Sequence, residues 1–373
     1  MSIILFLVIL LVLVLVHEFG HFIVAKKSGI RVDEFGFGFP PKLWGVKKGE
    51  TVYSFNALPF GGFVKIFGEN PDEDSISGPE KSRSLIYKPK RIQALVLVAG
   101  VTFNIILAWF LFSASFMFGM PVSADSIPPS KLKDANLVIT SVLKDSPAQM
   151  AGIETGDKIV GLNDNFSQLE VFSFDSTQDL QSVSSVQNFI SSHGDQNIII
   201  KLRRNGEDKE INLIPKEGIV EGKFGIGVSL DIVGILKLPV HKAFWEGAKT
   251  TGKTFVGTIM ALAKLVKDSF IGQADFSSIT GPVGIVGVVG DAYRFGIIYL
   301  LSFTALISIN LAVINLVPFP ALDGGRLLFL AIEKIKGSRI KPSIANAVNA
   351  IGFFLLIILM VVVTYNDIAR LIH

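Results

Sequence analysis

The sequence predicts a multipass α-helical membrane protein with four transmembrane helices. Half of the 373 residues are hydrophobic and 18% are charged, whereas soluble domains carry about 25% charged residues. Four apolar stretches approach or exceed the roughly 20 residues that a helix needs to cross a bilayer. They are residues 2–25, 94–120, 297–317 and 347–364.

The composition also excludes several kinds of site. The chain has no cysteine, which excludes disulfides, thiolate catalysis and cysteine-ligated metals. Any metal must therefore be held by His, Asp or Glu. The formal net charge of +3 is too small to indicate a nucleic-acid partner, so none is expected.

Basic residues orient the four helices. They are concentrated after the first helix, in residues 26–91, and after the third, in residues 326–341. By the positive-inside rule both of these loops are cytoplasmic, so both termini and the region between the second and third helices are extracytoplasmic. The first helix has no basic residue before its apolar stretch, which favours a retained helix over a cleaved signal peptide.

Residues 34–44 and 51–66 alternate aromatic and branched residues with Gly and Pro, a pattern typical of short strands joined by turns. These strands are unusually apolar for a cytoplasmic loop. One interpretation is a membrane-re-entrant β segment beside the first helix, because protein can cover non-helical backbone at membrane depth. The other is a soluble hairpin with aromatic packing. In a re-entrant segment, a strand edge is expected to bind an extended substrate. The residues expected there are Phe55, Phe60, Gly61 and Gly62.

Residues 121–232 are polar and alternate predicted strands with short helices, so they form a separate α+β domain. The order of these elements, with Ser-Pro-Ala at 146–148 and Gly-Asp at 156–157, resembles that of a bacterial PDZ domain. The resemblance implies a permuted domain with a peptide-binding loop at Phe224, Gly225, Ile226 and Gly227. Residues 165–185 are longer than a usual PDZ connection.

Residues 233–295 link this domain to the third helix. Apolar residues recur at helical spacing from 241 to 270, which predicts an amphipathic helix. Two placements stay open, on the outer membrane surface or against the PDZ domain. The predicted division of the chain is therefore 1–120, 121–232, 233–295 and 296–373.

A His-Glu-x-x-His motif lies inside the first apolar helix, at His17, Glu18 and His21. Positions i and i+4 share one face of a helix, so both imidazoles can bind one metal ion with Glu18 beside it. Ionisable groups within a membrane are costly and are functional by default. A lone membrane histidine is more often hydrogen-bonded to a neighbouring helix, but that alternative does not explain all three residues.

The third helix ends in the run NLVPFPALDG at residues 315–324. Its two prolines break the helix and free backbone carbonyls. Asp323 follows the break, and a plain Asp-Gly-Gly turn is the alternative interpretation. Because the first and third helices both run inward, Asp323 is expected to reach the depth of His21 and supply a third ligand. Asn104, in the second helix, is expected to bond to a neighbouring helix.

The motifs at 17–21 and 315–324 together resemble the two signature motifs of the site-2 protease family of intramembrane zinc metalloproteases. Gly-Phe-Gly at 36–38, the hairpin, the outer domain and residues 281–284 extend the resemblance toward bacterial members of the regulator of sigma-E protease (RseP) type. A single PDZ domain is visible here, whereas some members carry two in tandem.

The resemblance implies an endopeptidase with one Zn²⁺ per chain. His17, His21 and Asp323 are the expected ligands. The ion lowers the pKa of a bound water molecule, and Glu18 takes the proton as general base. The resemblance also implies that Asn315 holds the substrate or the developing oxyanion, and it places two further substrate contacts in the same motif. These are Pro318 and Pro320.

The expected partners are the lipid bilayer, single-span membrane protein substrates and an upstream site-1 protease that makes a first outer cut. The expected location is the bacterial plasma (inner) membrane. Two other functions fit part of the pattern: a non-catalytic PDZ scaffold with a structural metal, and an ion or metal transporter. Glu18 argues against both, because neither function requires a base next to the first ligand.

Overall fold

The computed structural model describes residues 1–70, 73–124, 132–164, 182–204, 206–220, 223–273 and 280–372. Residues 165–181, most of the long connection at 165–185, lie outside the described residues. The chain divides into two compact units. The first comprises Met1–Ser115 and Pro239–His373, and the second comprises Phe116–Leu238.

The described residues contain ten α-helices and ten β-strands. The helices are α1 (Ser2–Lys27), α2 (Glu73–Ser77), α3 (Lys90–Phe118), α4 (Pro147–Met150), α5 (Ser182–Ser192), α6 (Val240–Phe270), α7 (Pro282–Arg294), α8 (Ile297–Leu316), α9 (Asp323–Lys336) and α10 (Pro342–Ile372). The strands are β1 (Val32–Lys48), β2 (Thr51–Ile66), β3 (Met120–Ser123), β4 (Lys133–Val142), β5 (Lys158–Asp164), β6 (Ile198–Arg204), β7 (Glu207–Leu213), β8 (Lys216–Val220), β9 (Lys223–Gly225) and β10 (Val228–Leu236).

Four helices of the described chain are long and apolar enough to cross a membrane, namely α1, α3, α8 and α10. These four candidates coincide with the four apolar stretches from which transmembrane helices were predicted. Two of them begin earlier than their apolar stretches, α3 at residue 90 rather than 94 and α10 at 342 rather than 347. Polar residues continue these helices, because backbone hydrogen bonds and not apolarity set where a helix begins.

Strands β1 and β2 form the predicted hairpin between α1 and α3. Both strands bend, so the first part of β1 pairs twice: Phe35 lies opposite Tyr53 and also opposite Val64. The pairing therefore produces four short strand segments, with residues 62–66 at an edge. Backbone N–H groups alternate in direction along a strand. The N–H of Phe67 donates to Arg31 O, toward β1, so those of Lys65 and Phe63 also point toward β1. The N–H of Val64 therefore points away from β1.

Helix α6 is the amphipathic helix expected at 241–270, and it packs against α3 and α8. Trp109 Nε1 of α3 donates to Phe244 O at 2.8 Å. A Cβ at Gly247 would lie 2.3 Å from Ser113 Oγ, so the glycine permits the close approach of α6 and α3. Neither placement considered from the sequence included this contact, because amphipathicity shows which face is apolar but not which neighbour covers it.

The second unit is built on a six-stranded antiparallel sheet with the order β3-β10-β4-β5-β6-β7. Aliphatic side chains form its core, and those of Ile139, Ile200 and Ile226 are at most 2% exposed. The unit runs from residue 116 to 238, beyond the predicted limits of 121 and 232. The reason is that β3 pairs with the far end of β10, where Met120 lies opposite Leu236.

Candidate metal centre

Three candidate ligand atoms meet where α1 approaches the first residue of α9. His17 Nε2 lies 3.1 Å from His21 Nε2 and 3.1 Å from Asp323 Oδ2. His21 Nε2 lies 3.2 Å from the same oxygen. Both histidines are buried, with 6% of each residue exposed. The structure thus brings together the three residues that the two sequence motifs single out, although 306 positions separate His17 from Asp323.

The spacing of these atoms fits a zinc ion. Zinc binds imidazole nitrogen and carboxylate oxygen at about 2.0–2.2 Å in a tetrahedron, which places neighbouring ligand atoms about 3.3 Å apart. Electron-rich atoms as close as 3.1–3.2 Å repel one another unless a cation or shared protons lie between them. Two imidazoles and one carboxylate leave a fourth position open, as catalytic zinc sites do.

The other nitrogen of each imidazole contacts α3. His21 Nδ1 lies 2.7 Å from Val96 O, so Nδ1 carries the proton and Nε2 is left with a lone pair for a metal. The amide nitrogen of Asn104 lies 3.3 Å from His17 Nδ1, and its Oδ1 is buried with no hydrogen-bond partner. Rotating this amide by 180° would let Oδ1 accept from His17 Nδ1–H, which satisfies the orphaned oxygen and again frees Nε2.

Glycines let α1 and α3 approach closely enough for these contacts. A Cβ at Gly20 would lie 2.5 Å from Ala99 O. A Cβ at Gly100 would lie 2.4 Å from His21 Nε2 and 2.7 Å from His17 Nε2. The backbone of Gly100 therefore forms one wall of the centre, and any side chain at that position would occupy the space beside the ligand nitrogens.

Asp323 is held at the start of α9 after the two-proline break. Ala321 adopts a left-handed conformation (φ 73°), and its N–H donates to Asn349 Oδ1 of α10 at 3.2 Å. Cβ atoms at Gly324 and Gly325 would each lie 2.2 Å from a backbone carbonyl oxygen of the preceding segment. These glycines permit the tight return of the chain. Asn349 accepts a hydrogen bond from one backbone N–H near the break.

Glu18 is oriented by the hairpin. Its Oε2 accepts a hydrogen bond of 3.0 Å from the backbone N–H of Val64 on β2. Val64 lies in the edge segment 62–66. The start of this segment and the residue before it contact α1: a Cβ at Gly62 would lie 2.9 Å from Leu15 Cδ2, and one at Gly61 would lie 3.2 Å from Val14 Cγ1. The edge of the hairpin therefore runs along the same helix as the His-Glu-x-x-His motif.

Comparison with known proteins identifies the family. A sequence model of peptidase family M50 matches residues 5–359. This chain belongs to peptidase family M50. A Clostridium perfringens (strain 13 / Type A) protein, whose name assigns it provisionally to the zinc metalloproteases, is 36% identical over 95% of this chain and 95% of its own length. The zinc metalloprotease RasP of Geobacillus kaustophilus (strain HTA426) is 28% identical over 99% of this chain and 98% of its own length. RasP of Oceanobacillus iheyensis is also 28% identical, over 96% and 97%.

Membership of family M50 confirms the resemblance to site-2 proteases on which the functional prediction depends. With four helices able to cross a membrane, the M50 chain is a membrane protein. The roles of the individual residues stay predictions, and the structure supports some of them less than others. In particular, the amide of Asn315 donates to Leu311 O of its own helix at 3.0 Å, a contact that caps backbone within the helix.

The predicted substrate residues lie in two places of the first unit. On the hairpin, Phe55 is 52% exposed. The side chain of Phe60 is not among those that the structure describes. After α8, Pro318 is exposed, whereas Pro320 packs beside Gly352 of α10, where a Cβ would lie 2.5 Å from the proline Cβ. The hairpin and the two-proline segment both adjoin the metal centre through α1 and α9.

The predicted peptide loop lies in the second unit, where β9 ends and β10 begins. Phe224, Gly225, Ile226 and Gly227 line a cavity of about 540 Å³, whose other walls are residues 141–144 at the end of β4 and residues of α5, β8 and β10. Gly227 has φ 81°, and a Cβ there would lie 2.3 Å from Ser146 Cβ. Glycine is therefore required at this turn, on both conformational and steric grounds.

Sequence analysis missed three contributors to the M50 centre: Gly100, Asn349 and the N–H of Val64. Gly100 left a usable signal, because a glycine in an apolar helix marks a close helix contact. Asn349 left a weaker one, as a polar residue near the start of a transmembrane helix. The N–H of Val64 left none, since every residue except proline has the same backbone donor.

Proposed function

We propose that this M50 peptidase is an intramembrane zinc metalloprotease that hydrolyses peptide bonds within or near the transmembrane segments of single-span membrane proteins. One observation carries the proposal. The ligand atoms of His17, His21 and Asp323 lie within 3.2 Å of one another, and α1, which carries Glu18 beside them, is long and apolar enough to cross a membrane. Zinc as the cofactor agrees with the names of the relatives.

Zinc, when bound, supplies a Lewis acid that activates water and polarises the scissile carbonyl. His17, His21 and Asp323 hold the ion. Glu18 takes the proton of the attacking water and returns it to the leaving amine nitrogen. The hydrogen bond from Val64 N–H keeps the Glu18 carboxylate on the hairpin side of α1, where a substrate bound to the hairpin would pass.

The hairpin is proposed to be a membrane-re-entrant segment. Gly61 contacts Val14, which is 13 residues and about 20 Å from the end of α1 at Lys27, so the hairpin extends to the middle of a transmembrane helix. Large apolar side chains on the hairpin are also exposed, a surface that suits acyl chains or a substrate better than water. They include Phe37 (40%), Phe39 (46%), Trp44 (67%) and Phe55 (52%).

The outer edge of segment 62–66 is proposed to bind the substrate as an added strand. A transmembrane helix hides its peptide carbonyls in its own hydrogen bonds, so it must unwind before hydrolysis. An extended segment added to this edge would have its backbone hydrogen bonds replaced by those of β2 groups other than the Val64 N–H, which already donates to Glu18. It would also run past Glu18, because the Val64 N–H at the edge already points to that carboxylate.

The second unit is proposed to be a PDZ domain that screens substrates, either as a size filter or by docking a C-terminus exposed by an upstream site-1 protease. Its strand order and the glycine-containing loop at the 540 Å³ cavity support this assignment. The bacterial plasma membrane is the proposed location, and the distribution of basic residues supports an extracytoplasmic position for this unit and both termini. Cleavage would then release a membrane-bound regulator or clear signal-peptide remnants.

The deciding experiment compares wild type with Glu18→Gln, purified in detergent, on a model single-span substrate, with zinc content measured in both. We expect both proteins to bind one zinc ion and only wild type to cleave. Glu18→Gln preserves size and hydrogen bonding but cannot accept the proton. A wild-type protein that binds zinc but cuts neither full-length nor truncated substrates would refute the proposal and favour the scaffold.

A further inference from the structure

Asp323 is the one proposed zinc ligand that does not belong to α1, so its position depends on how α9 is held. The segment between α8 and α9 contains two prolines and the left-handed Ala321. The two prolines have no N–H to donate, so this segment has fewer backbone hydrogen bonds than a helix of the same length. The contacts that fix α9 near its first turn are therefore the ones that can place the Asp323 carboxylate beside the two histidines.

One such contact is an ion pair between Arg326 and Glu69. Arg326 lies three residues after Asp323, on the first turn of α9. Its Nη1 donates to Glu69 Oε1, and its Nη2 lies 3.5 Å from Asn70 Oδ1. The two charged side chains are 25% and 23% exposed. An ion pair that is this well covered is screened less by solvent than a surface pair.

Glu69 lies in the tight turn that follows β2. Its N–H donates to Ile66 O at 3.1 Å, which closes the turn after the strand. In that turn Gly68 has φ 76°, and a Cβ there would lie 1.9 Å from Ser84 Oγ. The turn is thus tightly packed, and Glu69 provides a fixed anchor for α9.

The same strand also orients the proposed base. Val64 and Glu69 are five residues apart, and the first donates its N–H to Glu18 while the second accepts from Arg326. The end of β2 and the turn after it therefore contact both halves of the centre, the motif on α1 and the helix that begins with Asp323. A displacement of this strand would be transmitted to both.

We infer that Glu69 and Arg326 are positioning residues that place the carboxylate of Asp323 in the metal centre and couple it to the substrate-binding hairpin. The inference rests on the proposed function, since it assumes that Asp323 is a zinc ligand. Arg326 acts through the first turn of α9, and Glu69 acts through Arg326. Neither residue needs to touch zinc or substrate.

The test measures zinc affinity, by competition with a chelator, for the full-length protein in detergent. Arg326→Gln and Glu69→Gln should each weaken zinc binding about tenfold, at the low end of the range for residues that support metal ligands. The double variant with exchanged charges, Glu69→Arg with Arg326→Glu, should recover most of the loss. In cleavage assays at saturating zinc, the single variants should lower kcat more than they change KM.

The direction in which each variant changes zinc affinity distinguishes positioning from a simple effect of charge. If the two residues acted only through their fields, Glu69→Gln would weaken zinc binding and Arg326→Gln would strengthen it, because a cation repels Zn²⁺. Positioning requires both variants to weaken it. Lys336→Gln removes one exposed positive charge from the other end of α9 and should leave zinc affinity unchanged.

Two further variants keep the outcome clear. Arg326→Lys keeps the charge and should fold even if Arg326→Gln does not, and we expect an intermediate loss of zinc affinity because a single ammonium replaces the guanidinium fork. Asp323→Asn should lose more affinity than either single variant. If Asp323→Asn has no effect, the ligand assignment itself is wrong. If only Asp323→Asn has an effect, or if the charge exchange recovers nothing, the positioning role is overturned while the proposed function stands.

Discussion

Substitution of Gly100 tests the geometry of the metal centre most directly. An alanine Cβ would lie 2.4 Å from His21 Nε2 and 2.7 Å from His17 Nε2, whereas ordinary contacts begin at 3.4 Å. Relief of the first contact requires a movement of about 1 Å, several times the roughly 0.2 Å tolerance of metal–ligand distances. Gly100→Ala should therefore displace the imidazoles from the positions that the ligand set requires.

Two opposing effects determine how much Gly100→Ala changes the stability of the fold and the affinity for zinc. Alanine is favoured over glycine within a helix by about 1 kcal/mol, which stabilises α3. Overpacking a tight interior costs about 1–3 kcal/mol, and here the strain falls on the two ligand nitrogens. The fold should thus change little in stability, while zinc binding bears the strain. A loss of about 1–3 kcal/mol corresponds to a zinc Kd raised about 5- to 150-fold.

The assay is zinc competition with a chelator, together with thermal unfolding in detergent. Two controls make the same chemical change. Gly287→Ala adds a methyl group within α7 that meets no neighbouring element within 4 Å, so zinc affinity should be unchanged and stability should rise by at most about 1 kcal/mol. Gly20→Ala overpacks the same helix pair against Ala99 O, at 2.5 Å, and should reduce thermal stability more than zinc affinity. If Gly100→Ala binds zinc as tightly as wild type, the ligand arrangement described here is wrong.

Three further predictions follow from individual contacts. Asn104→Ala should raise the zinc Kd about tenfold, because it removes the proposed acceptor for His17 Nδ1–H, and unchanged affinity would contradict that role. Lys26 and Arg83 lower the pKa of Glu50 below its ordinary value of 4.5, so ionised Glu50 stabilises the fold above that pH. Glu50→Gln should thus lower the melting temperature at pH 7, by an amount that shrinks as the pH falls below 4.5. Gln187→Trp, which fills the cavity of the second unit, should raise KM for a substrate with a free C-terminus and leave kcat unchanged.

The sequence was most informative where the determinant is local. The i, i+4 spacing of His17 and His21 fixes their common face on any helix, and long apolar runs fix the four transmembrane helices. Asp323 was found by a different argument, since a two-histidine metal site needs a third ligand and the broken helix offers one. These inferences need no knowledge of how the helices pack.

What could not be predicted depends on contacts between elements. The role of Gly100 requires the register of α3 against α1, and the placement of α6 against α3 and α8 requires knowledge of which surface remains uncovered. The extent of the second unit depends on the pairing of β3 with β10, which are more than 100 residues apart. Long-range pairings of this kind leave no periodic signal in one sequence.

The contacts around the centre explain how a polar site can exist among apolar helices. An unpaired polar group in hydrocarbon costs several kcal/mol, so each one must find a partner within the protein. His21 is matched by Val96 O and the N–H of Ala321 by Asn349, and these partners come from α3 and α10 rather than from the helix that carries the motif. The polar groups of the centre are therefore matched only when the helices are packed together. It follows that the helix packing and the metal centre form one cooperative structure, so changes at helix contacts should alter metal affinity as well as stability.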